Sequence, residues 1–503
     1  MTATVTDMFC GAGGSALGAE MAGMTLHMAA NHWQTAIDVH QAHFPDAAHD
    51  CADISQADPR RYPVTDILLA SPECTNHSQA RGVSRRRQDP SLWDAPDPAA
   101  ERSRATMWDV PRFAEQIPYQ AIVVENVIEA AKWVGWRGWC VTMADLGYTA
   151  VVLSHNSQDH GVAQSRDRIY VVWTKAGLTV DLEMERTGWC PRCDADMVVR
   201  QAWKNGRTVG RYHQQWEWRC IVCGTACEVD RVPAGEIIDW SLDCPRIGDR
   251  TRPLADKTRA RIAAGLDRYG WLEPVVTVGA GNGYETTPGN RARSTSQPLA
   301  TQTTTAQHAL IEPPGFLMNT AHSGRVSDLR APHPTVCASD DRQSLIMPLR
   351  NNGNAYPTTD PLGTVAANGN HHGLLMRNNT ARGDQGQMVT PVTEPARTMT
   401  TTGHQSLLMP YYGQSVPHPT DRPIGTVTTR DRHALIDAQR VVDDCGFRML
   451  EPHEVAAAMA FPDGYIPTDL TKKDKVKLAG NAVTPPVMQW ICGRILQALE
   501  VAQ

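Results

Sequence analysis

An apolar run passes directly into a polar, cysteine-containing loop in Asp66-Ile67-Leu68-Leu69-Ala70-Ser71-Pro72-Glu73-Cys74-Thr75-Asn76-His77-Ser78. A short apolar run bounded by polar residues is typical of a buried β-strand. In an open parallel sheet, ligands bind at the carboxyl ends of the strands. A second apolar run, residues 121–124, leads into Glu125 in the same way. We therefore interpret Cys74 and Glu125 as a candidate nucleophile and acid at one edge of a sheet.

About the first 175 residues alternate short apolar runs with helical segments. The expected strands are residues 5–9, 26–30, 67–70, 121–124, 150–153 and 169–173, and the clearest intervening helices are residues 15–21 and 33–43. Strands that alternate with helices predict a doubly wound, Rossmann-like α/β sheet.

Composition describes an ordinary soluble protein with room for more than one domain. The chain has 503 residues, of which 41% are hydrophobic and 20% are charged. No apolar run is long enough to span a bilayer, and residues 1–7 lack a secretion signal, so we expect a cytoplasmic protein. In that compartment the 13 cysteines are expected to be thiols or metal ligands, not disulfides.

The charge balance places a condition on any binding to nucleic acid. A net charge of −6 gives no general attraction to a phosphate backbone, so contacts would need a local basic patch. One such cluster, Arg81, Arg85, Arg86 and Arg87, follows the cysteine loop directly. Taken alone, the cluster is better explained as a solvated loop.

Two C-x-x-C pairs indicate a metal site after residue 175. They are Cys190-Pro191-Arg192-Cys193 and Cys220-Ile221-Val222-Cys223, with 26 residues between the inner cysteines. Paired knuckles of this kind supply the four thiolates of a structural zinc ribbon, although unliganded thiols remain an alternative. Cys227 and Cys244 lie nearby and complicate the choice of ligands. Bound Zn²⁺ would mainly fold this insert.

The chain repeats itself between about residues 273 and 436. Five proline–threonine units have their threonines 34, 29, 34 and 28 residues apart, and an apolar pair or triplet follows each unit about ten residues later. Because the apolar positions recur in register, we predict repeated short β-hairpins in preference to a disordered Thr/Pro linker. The repeats could form one extended β platform or more than one recognition surface.

A glycine-rich loop, Phe9-Cys10-Gly11-Ala12-Gly13-Gly14, joins the first expected strand to the first helix. Glycines let the backbone approach a ligand, and the helix N-terminus offers free N–H groups. Downstream, Trp33 could stack on an adenine ring and Asp53 could accept a hydrogen bond from its amine. Taken alone, a tryptophan such as Trp33 is more often a core residue.

The order of motifs resembles the C5-cytosine-specific DNA methyltransferase family of bacterial or phage type. The matching blocks are Phe9–Gly13, Cys74 with Ser78, Glu125-Asn126-Val127, Gln164-Ser165-Arg166-Asp167-Arg168, Arg448-Met449-Leu450-Glu451-Pro452-His453-Glu454 and Gly480-Asn481-Ala482-Val483. They cover residues 1–175 and 445–503. The middle of the chain matches only in position, because the family keeps its variable target-recognition region there.

The resemblance implies S-adenosyl-L-methionine as methyl donor and cytosine C5 in double-stranded DNA as acceptor. It implies that Cys74 attacks C6, that Glu125 holds and protonates N3, and that Arg168, with Arg166, holds the cytosine carbonyl or aligns the pocket. The implied cofactor residues are Phe9, Gly11, Ala12, Gly13, Gly14, His32, Trp33, Asp53, Ile54, Asn481 and Ala482. The implied DNA-binding residues are Ser78, Gln79, Arg81, Arg85, Arg86 and Arg87.

Two positions depart from the family pattern. Glu73 stands between Pro72 and Cys74, where the family usually has proline directly before the cysteine. His32 stands before the tryptophan, where the family usually has an acidic residue that binds the ribose hydroxyls. An imidazole can accept one such hydrogen bond, so we expect weaker cofactor binding.

These patterns together predict four segments. They are a cofactor-binding catalytic domain (1–175), a zinc-ribbon insert (176–235), a repeated β-rich target-recognition region (236–437) and a C-terminal return to the catalytic domain (438–503). The return includes a helix opened by Pro452 and a closing amphipathic helix from Pro485 to about residue 499.

We expect a monomer that methylates DNA in a bacterial cell or phage-infected host, alone or paired with a cognate restriction endonuclease. Two alternatives are an RNA cytosine-5 methyltransferase and a catalytically silent DNA-binding protein of the same fold.

Overall fold

The computed structural model describes residues 2–72, 106–269, 275–278, 291–302, 304, 308–313, 316–318, 326–328, 408–410, 433–435 and 442–502. The chain divides into two compact units. The first comprises Met1–Asp239, Ser296–Ala306 and Leu450–Gln503, and the second comprises Trp240–Thr295 and Gln307–Met449. Both ends of the chain therefore belong to one unit.

A seven-stranded sheet forms the centre of the first unit, in the order β3-β2-β1-β4-β5-β8-β6. Its pairings are parallel except that β8 runs antiparallel to both β5 and β6. The six predicted runs all lie in this sheet. The bounds are β1 Thr4–Met8, β2 Thr25–Asn31, β3 Ala48–Cys51, β4 Ile67–Ala70, β5 Ala121–Asn126, β6 Tyr148–Asn156 and β8 Asp167–Lys175, with the short β7 Gln164–Ser165 outside the sheet.

Side chains alternate between two hydrophobic cores, one on each face of the sheet. On β4, Leu68 and Ala70 enter one core, and Ile67 and Leu69 enter the other. This alternation follows from the two-residue period of a strand, and a strand buried on both faces is apolar throughout. The predicted doubly wound α/β fold is confirmed for this unit.

In the part of the first unit that the structure describes, seven helices flank the sheet or complete its C-terminal cover. They are α1 Gly14–Met21, α2 Gln34–His43, α3 Asp109–Gln116, α4 Trp136–Asp145, α6 Pro452–Ala458, α7 Lys472–Asn481 and α8 Pro485–Ala502. The helices predicted at 15–21 and 33–43 and the two predicted near the C-terminus are all present. The backbones of α1 and α8 approach closely, since a Cβ added at Gly18 would lie 2.5 Å from the Pro485 carbonyl oxygen.

The insert after the sheet is a four-stranded antiparallel ribbon in the order β11-β10-β9-β12. Its strands are β9 Glu185–Cys190, β10 Ala195–Trp203, β11 Trp216–Cys220 and β12 Glu228–Val229. Trp216, Trp218 and Val199 are buried in a small core of its own.

In its described residues, the second unit contains a four-stranded antiparallel sheet and a 14-residue helix. Its sheet has the order β14-β13-β16-β21, and α5 (Asp256–Tyr269) contributes Ile262 and Leu266 to the same hydrophobic cluster. The strands are β13 Val275–Val278, β14 Ala292–Ser294, β16 His308–Glu312 and β21 Gly446–Met449. The chain also forms the short strand β15 (Leu299–Ala300), which pairs with β7 inside the first unit.

Only parts of the repeat region are described. Three of its five apolar repeats fall in strands: β16, β19 (Leu408–Pro410) and β20 (His433–Leu435), the last two paired antiparallel. The other described pair is β17 (Phe316–Met318) with β18 (Val326–Asp328). The repeated β module stays a prediction, because most of residues 329–432 lie outside the described part. Among the helices that the structure describes, none has the length and apolar character to cross a membrane.

Candidate active site

The glycine loop leaves β1 with an unusual backbone. Phe9, Gly11 and Gly13 all have positive φ, at 60°, 54° and 87°. A Cβ at Gly11 would meet no atom within 4 Å, whereas one at Gly14 would lie 2.0 Å from the Val483 carbonyl oxygen. One side of the loop is thus open to a ligand, and the other is sealed by the C-terminal part of the chain. These features fit a nucleotide-type cofactor such as S-adenosyl-L-methionine.

Two polar groups of this loop region are deeply buried. Asp7 accepts a hydrogen bond from the Ser15 hydroxyl at 2.5 Å, and burial raises the pKa of its carboxyl to about 7. Burial, with the nearby Asp7 carboxylate, raises the pKa of the Cys10 thiol. A buried thiol of raised pKa is unreactive, so Cys10 is not a nucleophile candidate.

The expected adenosine-binding residues follow β2 and β3. His32 is exposed, and Trp33 is partly buried just before α2, with its backbone N–H donating to Asn31 Oδ1 at 3.0 Å. Lys477 Nζ lies 3.6 Å from the centroid of the Trp33 ring, so an adenine stacked on that face would have to displace the ammonium group. The tryptophan in the sequence gives no sign of this lysine, which lies on α7.

Asp53 and Ile54 begin a short 3₁₀ turn after β3. Asp53 is exposed and its carboxylate accepts the Ser55 N–H at 3.1 Å, while Ile54 is buried. At the far end of the chain, Asn481 is the exposed last residue of α7, and Ala482 is buried beside it. These residues stay candidates for cofactor contact.

Glu125 and Arg168 form an ion pair at the end of β5. Arg168 Nε lies 3.0 Å from Glu125 Oε1, and the two side chains are only 14% and 10% exposed, respectively. The antiparallel register of β5 and β8 sets Glu125 opposite Tyr170, which brings the start of β8 to the carboxyl end of β5. A second donor of Arg168, Nη1, binds the Asp167 carbonyl oxygen at 2.8 Å. The pair presents an acid and a guanidinium side by side.

Arg166 has a different environment although it is only two residues away. Its buried guanidinium donates to the carbonyl oxygens of Gln302, Gly480 and Ala482 at 3.2 to 3.3 Å. Its donors thus bind backbone from distant parts of the chain, and the two roles expected of Arg166 stay predictions.

Hydrogen bonds link the segment that follows β4 to the ends of the neighbouring strands β1 and β5. Ser71 N donates to the Met8 carbonyl oxygen at 3.2 Å, and Asn126 Nδ2 donates to the Pro72 carbonyl oxygen at 3.2 Å. The chain leaving β4 is therefore held between the ends of β1 and β5, beside Glu125. The predicted nucleophile and DNA contacts lie outside the described residues. They are Cys74, Ser78, Gln79, Arg81, Arg85, Arg86 and Arg87.

The four predicted metal ligands converge in the ribbon. The Sγ atoms of Cys190, Cys193, Cys220 and Cys223 all lie within 4.8 Å of one another. The Cys190–Cys223 and Cys193–Cys220 sulfur distances are 3.4 and 4.0 Å. A tetrahedral zinc site with Zn–S bonds of 2.3 Å requires sulfur separations of roughly 3.8 Å. The donor set and spacing therefore fit Zn²⁺.

Both knuckles have the same backbone geometry. Asp194 and Gly224, which follow the second cysteine of each pair, have φ of 53° and 70°. Each donates its N–H to the carbonyl oxygen of the first cysteine at 2.9 Å. Cys227 is buried with its thiol against the Thr225 carbonyl oxygen and is not one of the converging four.

Sequence reasoning missed a group of residues that frames Arg168. Asp167 Oδ1 accepts hydrogen bonds from Asn156 Nδ2 and from the Tyr212 N–H, both at 3.0 Å. Burial raises the pKa of the Asp167 carboxyl, and these hydrogen bonds oppose the shift. Arg211 Nη2 contacts Glu129 Oε1 at 2.6 Å. Asp167 lies between two predicted site residues, Arg166 and Arg168, and that position could have identified it from the sequence. No sequence pattern marks the ribbon residues Arg211 and Tyr212.

Comparison with known proteins agrees with these features. A family model described as C-5 cytosine-specific DNA methylase matches residues 3–209 and 356–497. The type II methylase M.HgiEI of Herpetosiphon aurantiacus is 30% identical over 33% of this chain and 36% of its own length. The type II methyltransferase M.AgeI of Thalassovita gelatinovora is 27% identical over 35% of this chain and 40% of its own length. The chain thus spans well under half of these curated relatives.

Among solved structures, a DNMT2 mutant from Spodoptera frugiperda has a TM-score of 0.47 and 12% identity, covering 98% of this chain and 100% of that chain. A likeness this distant says nothing about substrate. The family match, in contrast, includes the glycine loop, the Glu125 strand and the Arg166–Arg168 segment within its first block, and Asn481 within its second. The chain belongs to the C-5 cytosine-specific DNA methylase family.

Proposed function

We propose that this protein transfers a methyl group from S-adenosyl-L-methionine to C5 of a cytosine in double-stranded DNA. The observation that carries the proposal is the Glu125–Arg168 pair at the end of β5, next to the held exit of β4. The glycine loop ends β1, the strand between β2 and β4. The glycine loop, the start of the segment that carries Cys74 and the acid Glu125 thus lie at the carboxyl ends of three parallel strands, β1, β4 and β5. Open α/β sheets bind their ligands at this edge.

The proposed chemistry begins with the Cys74 thiolate. Cytosine C5 is a poor nucleophile, so the thiolate adds to C6 and electron density moves to C5 as N3 takes a proton. Glu125 supplies that proton and holds the exocyclic amine, and Arg168 holds the ring carbonyl. When bound, S-adenosyl-L-methionine offers an electrophilic methyl group on its sulfonium. After transfer, a base removes the C5 proton, the electrons of that bond form the C5–C6 double bond as the Cys74 thiolate leaves, and N3 returns its proton to Glu125.

The thiol must reach the ring that Glu125 binds. Cys74 comes two residues after Pro72, and two residues of chain span at most about 7 Å. Asn126, the residue after Glu125, donates a hydrogen bond to the Pro72 carbonyl oxygen. The start of the thiol-bearing segment is therefore already next to Glu125, and β4 need not move for Cys74 to reach the base.

Duplex DNA requires that the target base leave the stack. Flipping a base costs a few kcal/mol, which contacts to the phosphates and to the flipped base must offset. We assign phosphate contacts to the loop after Cys74, with Ser78, Gln79, Arg81 and Arg85–Arg87. The repeat region would then read the sequence, as phosphate contacts position a protein and base contacts specify the site.

The ribbon is proposed to bind one structural Zn²⁺ through its four converging cysteines. The similarity to type II methyltransferases supports a role in DNA modification, either paired with a cognate restriction endonuclease or solitary. The monomeric state and the cytoplasmic location expected from the sequence are also retained as proposals. The four-segment division predicted from the sequence is retained as a proposal.

Covalent trapping tests the proposed mechanism. Duplex DNA containing 5-fluorocytosine should form a lasting adduct with the wild-type protein and S-adenosyl-L-methionine, because C5 then carries no removable proton. Cys74→Ser should form none. Glu125→Gln should slow adduct formation by roughly 10²-fold or more, as removal of a general acid does.

The alternatives predict other results. A silent DNA-binding protein would give no adduct with wild-type protein, although it would still bind the duplex. An RNA enzyme would trap only on 5-fluorocytosine RNA. An adduct that persists in Cys74→Ser would exclude the proposed nucleophile. Bisulfite sequencing of DNA from expressing cells would then give the target, and more than one consensus would favour several recognition surfaces over one platform.

A further inference from the structure

The hairpin formed by β10 and β11 extends from the cysteine cluster to the catalytic part of the first unit. Cys193 comes just before β10, and Cys220 ends β11. At the other end of these strands, Gln201 Nε2 donates to the Ser154 carbonyl oxygen at 2.9 Å, and Gly210 N donates to Ser154 Oγ at 3.2 Å. Ser154 belongs to β6 of the central sheet. The ribbon is therefore bonded directly to the catalytic sheet.

The tip of this hairpin also packs into the core. Val209 contacts the hydrophobic cluster that includes Ile128, Ala130 and Trp133. Ile128 and Ala130 belong to the turn that follows β5, the strand carrying Glu125, and Trp133 comes directly after that turn. The hairpin tip therefore packs against the same core cluster to which this turn contributes.

Two polar contacts continue this interface. Arg211 Nη2 lies 2.6 Å from Glu129 Oε1, with side-chain exposures of 35% and 16%, respectively. The next residue, Tyr212, donates its backbone N–H to Asp167 Oδ1 at 3.0 Å. Consecutive residues of the hairpin therefore hold two carboxylates on two different catalytic segments.

Each of those carboxylates is close in sequence to a member of the catalytic pair. Glu129 is four residues after Glu125, on the turn Ile128–Lys132. Asp167 precedes Arg168, whose Nη1 donates to the Asp167 carbonyl oxygen at 2.8 Å. Displacement of either segment would change how Glu125 and Arg168 face a base.

We propose that Arg211 is a positioning residue for methyl transfer, which fixes the Glu129 turn and, with Tyr212, the Asp167 segment against the catalytic pair. The inference rests on the proposed function. It assigns to the ribbon a part in catalysis besides any contact with DNA. A partly exposed ion pair contributes little stability by itself. We expect the Arg211–Glu129 pair to act on the positions of Glu125 and Arg168, since a misplacement of about 1 Å in a site can lower a reaction rate by 10²-fold.

The chain offers a matched control for Arg211. Arg219 lies on the same hairpin, and its Nη2 also lies 2.6 Å from a glutamate, Glu217, but this pair is internal to the ribbon. Its side chain is 49% exposed. Arg219→Ala therefore removes a comparable ion pair without touching the catalytic segments.

Steady-state methylation of duplex DNA by the full-length, metal-loaded protein tests the proposal. Arg211→Ala is expected to lower kcat by roughly 10- to 100-fold, with KM for DNA and cofactor affinity within about twofold of wild type. Arg211→Lys keeps the positive charge but loses the planar guanidinium with its several N–H donors, so its kcat should lie between those of Arg211→Ala and wild type. Arg219→Ala should match wild type. A rise in KM for DNA alone, or an equal kcat in both alanine variants, would overturn the proposal.

Hydrogen exchange gives a readout independent of turnover. Peptides covering residues 125–132 should exchange faster in Arg211→Ala and in Glu129→Gln than in Arg219→Ala. Equal protection in all three would overturn the positioning role even if methylation were absent. If the wild-type protein neither methylated duplex DNA nor formed the covalent adduct, and the exchange difference between the variants were still present, the result would count against the proposed function and not against the positioning role.

Discussion

At the residue scale, Arg166 and Arg168 show what a motif can and cannot predict. Both were expected in the site because they share one motif. Arg168 meets Glu125 through the register of two neighbouring strands, which an apolar pattern can indicate. Arg166 binds carbonyl oxygens of residues 302, 480 and 482, which lie more than 130 positions away. No local pattern carries that information, so only the structure distinguishes their environments.

Asp7 gives a prediction about pH. Its pKa is raised from 3.8 to about 7 by burial, so the folded protein holds a proton that the unfolded chain releases above about pH 4. Its contribution therefore lowers stability progressively as pH rises from about 4 to 7, by roughly 4 kcal/mol in all, and is constant above that.

Asp7→Asn should remove this loss. The variant should gain stability relative to wild type between pH 5 and pH 8, measured as the difference in free energy of unfolding at each pH. Taking the difference cancels groups common to both proteins, including the buried histidines. A constant difference across that range would show that Asp7 is ionised in the folded state throughout.

His32 gives a prediction about the cofactor. It is exposed directly after β2, where the family usually has an acidic residue. A carboxylate can accept both ribose hydroxyls, so His32→Glu should tighten binding of S-adenosyl-L-methionine by about tenfold, the value of one good hydrogen bond. Isothermal titration calorimetry measures the change, with His27→Glu on the exposed face of β2 as control. An unchanged dissociation constant would remove His32 from the cofactor site.

At the element scale, the ribbon was predictable and its docking was not. Two C-x-x-C pairs suffice to predict four converging thiols, because knuckle geometry is local. The hairpin loop that reaches Glu129 and Asp167 contains no recognisable motif. Its contacts depend on where the ribbon leaves and re-enters the sheet, which is a property of the fold.

The cysteine set gives a prediction about metal. The purified wild-type protein should contain one Zn²⁺ per chain, and Cys193→Ser should lose it and unfold the ribbon, since metal affinity contributes folding energy here. Cys227→Ala should keep the metal, because that thiol contacts the Thr225 carbonyl oxygen. Metal content by mass spectrometry and thermal unfolding distinguish the two variants. Zinc lost only from the Cys227 variant would mean that the ligand set is wrong.

At the scale of the whole molecule, the first unit is assembled from distant segments. Its sheet comes from residues before 176, and its cover is completed by residues after 449. The amphipathic pattern predicted α8 but not where it packs. The structure sets it against α1, where Gly18 permits the close approach.

The final prediction concerns that helix. Five α8 side chains are almost fully buried in the core that also contains α1: Val487, Met488, Ile491, Cys492 and Ile495. Burial of each is worth roughly 2 kcal/mol, so their sum of about 10 kcal/mol equals the whole stability of an ordinary domain. Truncation before Pro485 should therefore leave the first unit unfolded, seen as insoluble expression and loss of cofactor binding. Removal of only residues 501–503, whose Val501 is 89% exposed, should change neither. If the longer truncation stayed folded and bound cofactor, the sheet would have to be stable without its C-terminal cover.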